Sequence, residues 1–195
     1  MSQALQERTY KETTDPTEEL VRAAVKDISQ FAALYNLHYT RVYQFIFRRT
    51  CDREQSFDLT SMVFLKAMEN LKNYRYTGVP FEAWLFRIAL NEIYGMYRKK
   101  KLHLVYNLDL GEVRHFVGEI DNGDREGMIK RVLDILPKLS KEEMDLIEMR
   151  FFSKYSVIDI ARILNITENN ASVRIFRALK KIKSYYQKKY KYGII

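Results

Sequence analysis

Residues 157–177 constrain this chain more than any other stretch. Val157 to Leu164 reads as a short amphipathic helix with Ile160, Ala161 and Leu164 on its apolar stripe. Asn165-Ile166-Thr167 then forms a turn. Asn tolerates the left-handed backbone that a sharp turn needs, Ile166 supplies an apolar plug, and Thr167 is an N-cap for the helix that follows. Ala161 is small where two helices must cross closely. Together these features make a helix-turn-helix. The second helix opens Glu168-Asn169-Asn170-Ala171-Ser172-Val173-Arg174-Ile175-Phe176-Arg177. Asn169, Asn170, Ser172, Arg174 and Arg177 are the hydrogen-bonding set that suits base edges in a major groove. From Asn169 to the C-terminus there are eight Lys or Arg, Lys180 and Lys181 among them, and no Asp or Glu. A run of one sign suits phosphates, whereas a solvated helix face usually mixes signs. The same pattern would also build a helical hairpin in a protein-binding bundle.

The rest of the chain predicts an all-α fold. Gly and Pro number seven and three in 195 residues, too few for the tight turns of an all-β protein. Residues 1–14 read as a flexible tail. Asp15-Pro16-Thr17-Glu18 is a helix start, and an apolar pattern at helical spacing runs from Leu20 through Val25 and Ile28 to Phe47. Residues 50–57 are polar and are read as the end of that helix. Asp58 is read as the start of the next, with Leu59, Met62, Val63, Ala67, Met68 and Leu71 as its stripe. Residues 73–80, with Gly78 and Pro80, are a loop, and a further helix is expected from Phe81 to about Lys101. Residues 102–126 lose periodicity, and their six carboxylates face only Arg114 and Arg125. They read as an acidic linker, with an amphipathic insertion docked on a domain as the alternative. Helices resume near Gly127, and Ser140-Lys141-Glu142-Glu143 is a capping box. The expected organisation is therefore two small helical domains, 15–101 and 127–185, with a basic tail at 186–195.

A formal net charge of +8 favours polyanionic partners. The single cysteine, Cys51, rules out an internal disulfide framework and reads as an ordinary thiol in a polar turn. His38, His103 and His115 lack metal-ligand spacing. Glu142, Glu143 and Asp145 cluster at a helix start, where capping accounts for them. Neither a nuclease-type carboxylate cluster nor a positioned nucleophile is present, so no enzyme and no cofactor are expected. The polar N-terminus is no signal peptide, and the longest apolar stretch, Phe81 to Leu90, is short and carries Glu82 and Arg87. A cytoplasmic protein without a membrane partner is expected.

The helix at 81–101 is a second candidate site. Asn91, Tyr94 and Tyr97 precede the run Arg98-Lys99-Lys100-Lys101, and Tyr74-Arg75-Tyr76 lies upstream. Rings stack on unpaired bases at roughly 1–3 kcal/mol each while cations hold the backbone. The competing reading packs Tyr94 and Tyr97 in the core. A duplex reader and a single-strand holder in one chain form a specific combination.

In that combination the chain resembles the extracytoplasmic-function sigma factors of bacterial RNA polymerase. DLTSMVFLKAM at 58–68 is similar to the family's polymerase-binding helix, FEAWLFRIALN at 81–91 to its promoter-melting helix, and residues 135–183 to its C-terminal domain. The resemblance implies a non-enzymatic initiation factor whose first domain docks on the clamp of the largest polymerase subunit through Asp58, Ser61, Met62, Phe64 and Leu65. That domain would open the minus-ten element, with the loop 74–80 and Asn91 forming a pocket for a flipped base. Tyr74, Tyr76, Tyr94, Tyr97 and Arg98 to Lys101 would hold the strand. The second domain would grip the flap of the other large subunit and read the duplex minus-thirty-five element through its recognition helix. An anti-sigma protein is a common partner in this family.

Departures from the pattern fall in three places, one of them Gly95, where an acidic residue four after Asn91 is usual. Phe57, Ser61, Met62 and Met68 stand where the family usually has Glu, Gln, Glu and Trp, and Ser172 stands where a Lys or Arg is common. These changes remove charge from both contacts, and a recruiting protein is one consequence they imply. The rival functions are a sigma-like factor brought to DNA by a partner and a helix-turn-helix regulator that never joins polymerase.

Overall fold

A computed structural model describes residues 16–74, 80–100, 113, 116–117 and 131–191. Asp15, the N-terminal tail, Tyr76, Lys101 and most of the acidic linker lie outside the described residues. Among the described residues there is no strand. The α-helices are α1 (Pro16–Lys26), α2 (Phe31–Thr50), α3 (Arg53–Glu69), α4 (Phe81–Lys100), α5 (Lys141–Ile147), α6 (Val157–Leu164) and α7 (Glu168–Tyr186).

The first apolar pattern does not make one helix. The chain breaks at Asp27, whose backbone is extended (φ −138°) and whose carboxylate accepts from the Ser29 amide at 3.0 Å and the Ser29 hydroxyl at 2.7 Å. A short Asp side chain competes for backbone donors and favours a cap over a helix interior. Val25 and Ile28, expected on the buried stripe, are 39% and 53% exposed around this break.

The second helix boundary also moves. α3 begins at Arg53, not Asp58. Cys51 takes the left-handed conformation (φ 54°) and Asp52 accepts from the Gln55 amide at 3.1 Å, so two residues suffice for the corner. The polar stretch that looked like a loop is the first turn of a helix. Its small polar side chains are buried: the Ser56 and Thr50 hydroxyls are 2.7 Å apart, and the Thr60 hydroxyl donates to the Ser56 carbonyl at 2.6 Å.

Helices α2, α3 and α4 pack on one another, with Leu34, Ile46, Val63, Leu85, Ala89 and Ile93 fully buried between them. In the C-terminal unit α5 and α6 pack on α7. Ser140 and Glu143 form the expected capping box. A π-helical turn, Glu148–Phe152, links α5 towards α6 and buries Met149, Phe151 and Phe152. Val113, Phe116 and Val117 from the linker region are also fully buried, with the Phe116 ring centroid 5.0 Å from that of Phe151 and 5.4 Å from that of Phe152. This part of the linker region is docked on the C-terminal unit.

The two units meet along a seam. α4 lies against α6, and the Phe86 ring packs edge-on against Tyr155 at 5.6 Å.

Candidate nucleic-acid and polymerase interfaces

The helix-turn-helix forms through local chemistry. Asn165 closes α6 in the left-handed region (φ 56°), and its amide donates to the Arg162 carbonyl at 3.3 Å. Thr167 accepts from the Asn170 amide at 3.2 Å and starts α7. Ala171, Ile175, Ala178 and Ile182 face the core. The opposite side of α7 therefore points to solvent, and Asn169, Asn170, Ser172, Arg174, Arg177 and Lys180 are all exposed. Lys181 is half-buried and pairs with Glu143 at 2.6 Å. Two apolar side chains share the exposed face: Phe176, 65% exposed, and Val173, 39%. Their helical spacing was legible, but apolar identity alone pointed to the core rather than to a ligand. Farther along α7 a groove of about 390 Å³ is lined by Arg177, Lys180, Lys181, Ser184, Tyr185 and Lys188.

α4 separates its predicted site residues among different environments. Asn91, Arg98 and Lys99 are exposed. Asn91 opens into a cavity of about 330 Å³ shared with Lys66, Asn70, Asn73, Trp84, Ile88 and Glu92. Three amides, an indole face and the Lys66–Glu92 pair at 2.5 Å thus line one hollow. Asn70, Asn73 and Trp84 were not anticipated in this role. Trp84 lies two turns before Asn91 on α4, a spacing the sequence already holds, whereas Asn70 and Asn73 follow α3 and reach Asn91 only through the packing of α3 on α4. Tyr74 is half-buried, with its ring 5.1 Å from Trp84 and 5.3 Å from Phe81.

Tyr94 and Tyr97 face away from solvent. Tyr97 is buried and its hydroxyl donates to the Arg49 carbonyl at 2.9 Å. Tyr94 crosses the seam and donates to Asp145. The Lys141 ammonium sits over the Tyr94 ring, 3.1 Å from its centroid. Lys100 belongs to α4, but its side chain lies outside the described residues.

A fully buried arginine was missed by sequence reasoning. Arg49 is fully buried at the end of α2. It donates to the Phe45 carbonyl at 2.9 Å, to Asp145 at 3.1 Å and to Glu148. Asp145 is therefore no capping residue: its carboxylate is buried at the seam, and Glu143 is the capping carboxylate. Arg87 of α4 donates to the carbonyls of Arg162 at 2.6 Å and Ile163 at 3.3 Å. A guanidinium there satisfies open carbonyls in the last turn of α6 and meets the negative end of its dipole.

On α3, Asp58, Ser61, Met62 and Leu65 are exposed, whereas Phe64 is buried among core rings, 6.4 Å from Phe31 and 4.7 Å from Tyr35. Phe57, Met62, Leu65 and Met68 are 37–50% exposed, so the ridge is largely apolar. Among the described residues no group of His, Cys, Asp and Glu is placed to hold a metal, and no described helix is long and apolar enough to cross a membrane.

Comparison with known proteins agrees with this layout. Residues 34–103 match the family model of sigma-70 region 2, and residues 129–182 that of sigma-70 region 4. The chain is 26% identical over 164 residues to the ECF RNA polymerase sigma factor BldN of Streptomyces coelicolor, covering 82% of this chain but 61% of the relative. It is 25% identical over 157 residues to the ECF RNA polymerase sigma factor SigM of Bacillus subtilis, covering 80% of this chain and 94% of that one. Among solved structures it is similar in fold to CnrH bound to the cytosolic domain of CnrY. That match has a TM-score of 0.58 at 22% identity and covers 87% of this chain and 96% of that one. The sigma factor RpoE of Bartonella quintana, solved with the anti-sigma factor NepR, matches with a TM-score of 0.52 at 18% identity over 80% and 96% of the two chains.

Proposed function

Because this chain belongs to the extracytoplasmic-function sigma factors, we propose that it binds core RNA polymerase and directs it to promoters, recognising one element as duplex and another as opened strand. The observation that carries this reading is the pairing of two dissimilar sites on one chain. One is a convex, exposed, cationic helix, and the other is a concave, amide-lined cavity.

α7 fits a major groove. Asn169, Asn170 and Ser172 supply hydrogen bonds to base edges, while Arg174, Arg177 and Lys180 supply charge for edges and phosphates. Val173 and Phe176 lie on the same exposed face, where apolar contact with thymine methyl groups gives them a role. The cavity at Asn91 fits a single base turned out of its strand. Trp84 offers a stacking face, and Asn70, Asn73 and Asn91 offer both donors and acceptors for a base edge. Arg98 and Lys99, with Lys100 and Lys101 after them, would hold the adjoining phosphates, and Tyr74 and Tyr76 would flank the base.

The α3 ridge would dock on the clamp of the largest subunit, with Asp58 and Ser61 beside the apolar Met62 and Leu65. Burial of Phe57, Met62, Leu65 and Met68 replaces the charge that the family usually places there. Phe64 would support that contact from beneath. The C-terminal unit would meet the flap of the other large subunit, in the cytoplasm where the polymerase works.

The decisive experiment mixes the purified chain with core polymerase on a sizing column, followed by initiation assays on promoter fragments. Co-elution and promoter-specific transcripts are expected. A folded chain that elutes alone would transfer the reading to a factor recruited by a partner, or to a duplex-binding regulator.

A further inference from the structure

The hollow at Asn91 holds a charged pair as well as its three amides. Trp84, Ile88, Asn91 and Glu92 recur at i, i+4, i+7 and i+8, so α4 presents them on one face. Lys66 reaches the same hollow from α3 and pairs with Glu92 at 2.5 Å. We infer that this pair makes the hollow a reader of one base, guanine, and that Glu92 is the residue that decides it. The inference rests on the reading of the hollow as the pocket for a base turned out of the opened strand.

A carboxylate in this position needs a reason. A nucleic-acid strand carries a negative phosphate at every nucleotide, and a carboxylate beside it is repelled. As a brace between α3 and α4 the pair adds little, because its side chains are 41% and 22% exposed. Glu92 becomes favourable in a strand-binding hollow when N–H groups of the bound base meet it, since hydrogen bonds to a charged acceptor are the strong ones.

The bases differ in what they offer such a pair. A carboxylate accepts through two oxygens, and an ammonium only donates. Glu92 with Lys66 beside it therefore presents two acceptors and a donor side by side. The Watson–Crick edge of guanine is the complement: N1–H and the N2 amine are neighbouring donors, and O6 is an acceptor. Cytosine and adenine each present one amine beside a bare ring nitrogen, whose lone pair would face the second carboxylate oxygen. Thymine presents one N–H between two carbonyls. Guanine alone fills both oxygens of Glu92 and leaves O6 for Lys66. The Asn70 amide nitrogen donates to the Lys66 carbonyl at 2.8 Å, which orients that amide and leaves its oxygen to accept. The rim is thus rich in acceptors, while the Trp84 indole and Ile88 supply an apolar floor for the ring.

The test uses the full chain in complex with core polymerase, and duplex fragments that this complex recovers from a random library. The fragments are rebuilt with the minus-ten stretch unpaired. Each unpaired base is replaced in turn by the other three, by inosine, which lacks the N2 amine, and by an abasic sugar. With the wild type, one position should lose roughly tenfold in affinity on abasic replacement, and guanine there should exceed adenine, cytosine and thymine by roughly tenfold and inosine by several-fold. Glu92→Gln keeps the size of the side chain and removes its charge. It should bring guanine and inosine within about twofold of each other, while the abasic loss and the preference at the duplex element persist. An abasic-sensitive position that prefers another base, a guanine preference that survives Glu92→Gln, or a variant that tightens on every fragment alike would overturn the guanine assignment and leave the base pocket standing. Abasic sugars tolerated at every unpaired position would overturn the base pocket and the assignment together. Failure of the complex to form would overturn the proposed function itself, and co-elution reports that separately.

Discussion

Tyr94 on α4 donates its phenolic hydrogen to Asp145 on α5, and the same carboxylate accepts from Arg49 on α2 at 3.1 Å. One buried carboxylate thus ties three helices from both halves of the chain. Burial first, then the Asp145 charge and hydrogen bond, push the Tyr94 hydroxyl far above the ordinary tyrosine range. Tyr155, facing Phe86 across the same seam, is pushed up to about 12 by burial and then by the charge of Glu82.

Alkaline pH should open this seam. A tyrosine whose folded pKa is raised binds its proton more tightly when folded than when unfolded. Its contribution is complete below the unfolded value of about 10 and is lost as pH rises through the folded value. The melting temperature should therefore fall between pH 10 and about 12. Thermal melts across that range should show a shallower fall for the Tyr94→Phe, Tyr155→Phe double variant than for the wild type.

The turn between α6 and α7 should respond to single substitutions in a graded way. Thr167→Ala removes the acceptor for the Asn170 amide and should cost about 1 kcal/mol. Asn165→Val forces a β-branched residue into the left-handed region and should cost about 1–2 kcal/mol. Urea denaturation should show both as lower midpoints, and a Thr167→Ser variant should stay close to wild type.

Lys154 also holds a positive φ, 61°, without being glycine. Its side chain is exposed, so Lys154→Gly removes backbone strain without removing packing. Part of the gain is offset by the freer unfolded chain, leaving a stabilisation of about 0.5 kcal/mol. A raised urea midpoint at unchanged slope is the expected result.

Exposed residues of α7 should divide into two classes in duplex binding. Lys180→Ala should weaken binding to all sequences alike and shallow the salt dependence by about one phosphate contact. Phe176→Ala should leave the salt slope unchanged and reduce discrimination between thymine and other bases by about 1 kcal/mol at one position. Anisotropy titrations at several salt concentrations, on a selected site and its base substitutions, separate the two.

On α3, Leu65→Asp places a charge on a side chain that is 45% exposed. The fold should be undisturbed, since surface substitutions away from buried networks change stability by about 0.5 kcal/mol or less. Co-elution with core polymerase should be lost. Retention of full binding by this variant would move the clamp contact elsewhere.

What the sequence alone determined is chemistry that closes within a few residues. The Ser140–Glu143 capping box, the left-handed Asn165 and the Thr167 N-cap were legible because donor and acceptor sit three or four positions apart. The exposed polar face of α7 followed from the same short-range periodicity. The corner at Cys51 escaped because a non-glycine residue took the left-handed conformation there, and polar Ser56, expected in a loop, paired its hydroxyl with that of Thr50 across the corner. The seam was decided only by tertiary structure. Arg49 and Asp145 lie 96 positions apart, and nothing local distinguishes Arg49 from the solvated arginine that a basic helix end usually carries. Docking α5 against α2 and α4 removes water from all three charges at once, and that loss of solvent makes the pairing decisive. Tyr94 and Tyr97 show the same division. Their helix was legible, but whether a ring meets a base, a lysine or the core depends on which surface of the fold lies against α4.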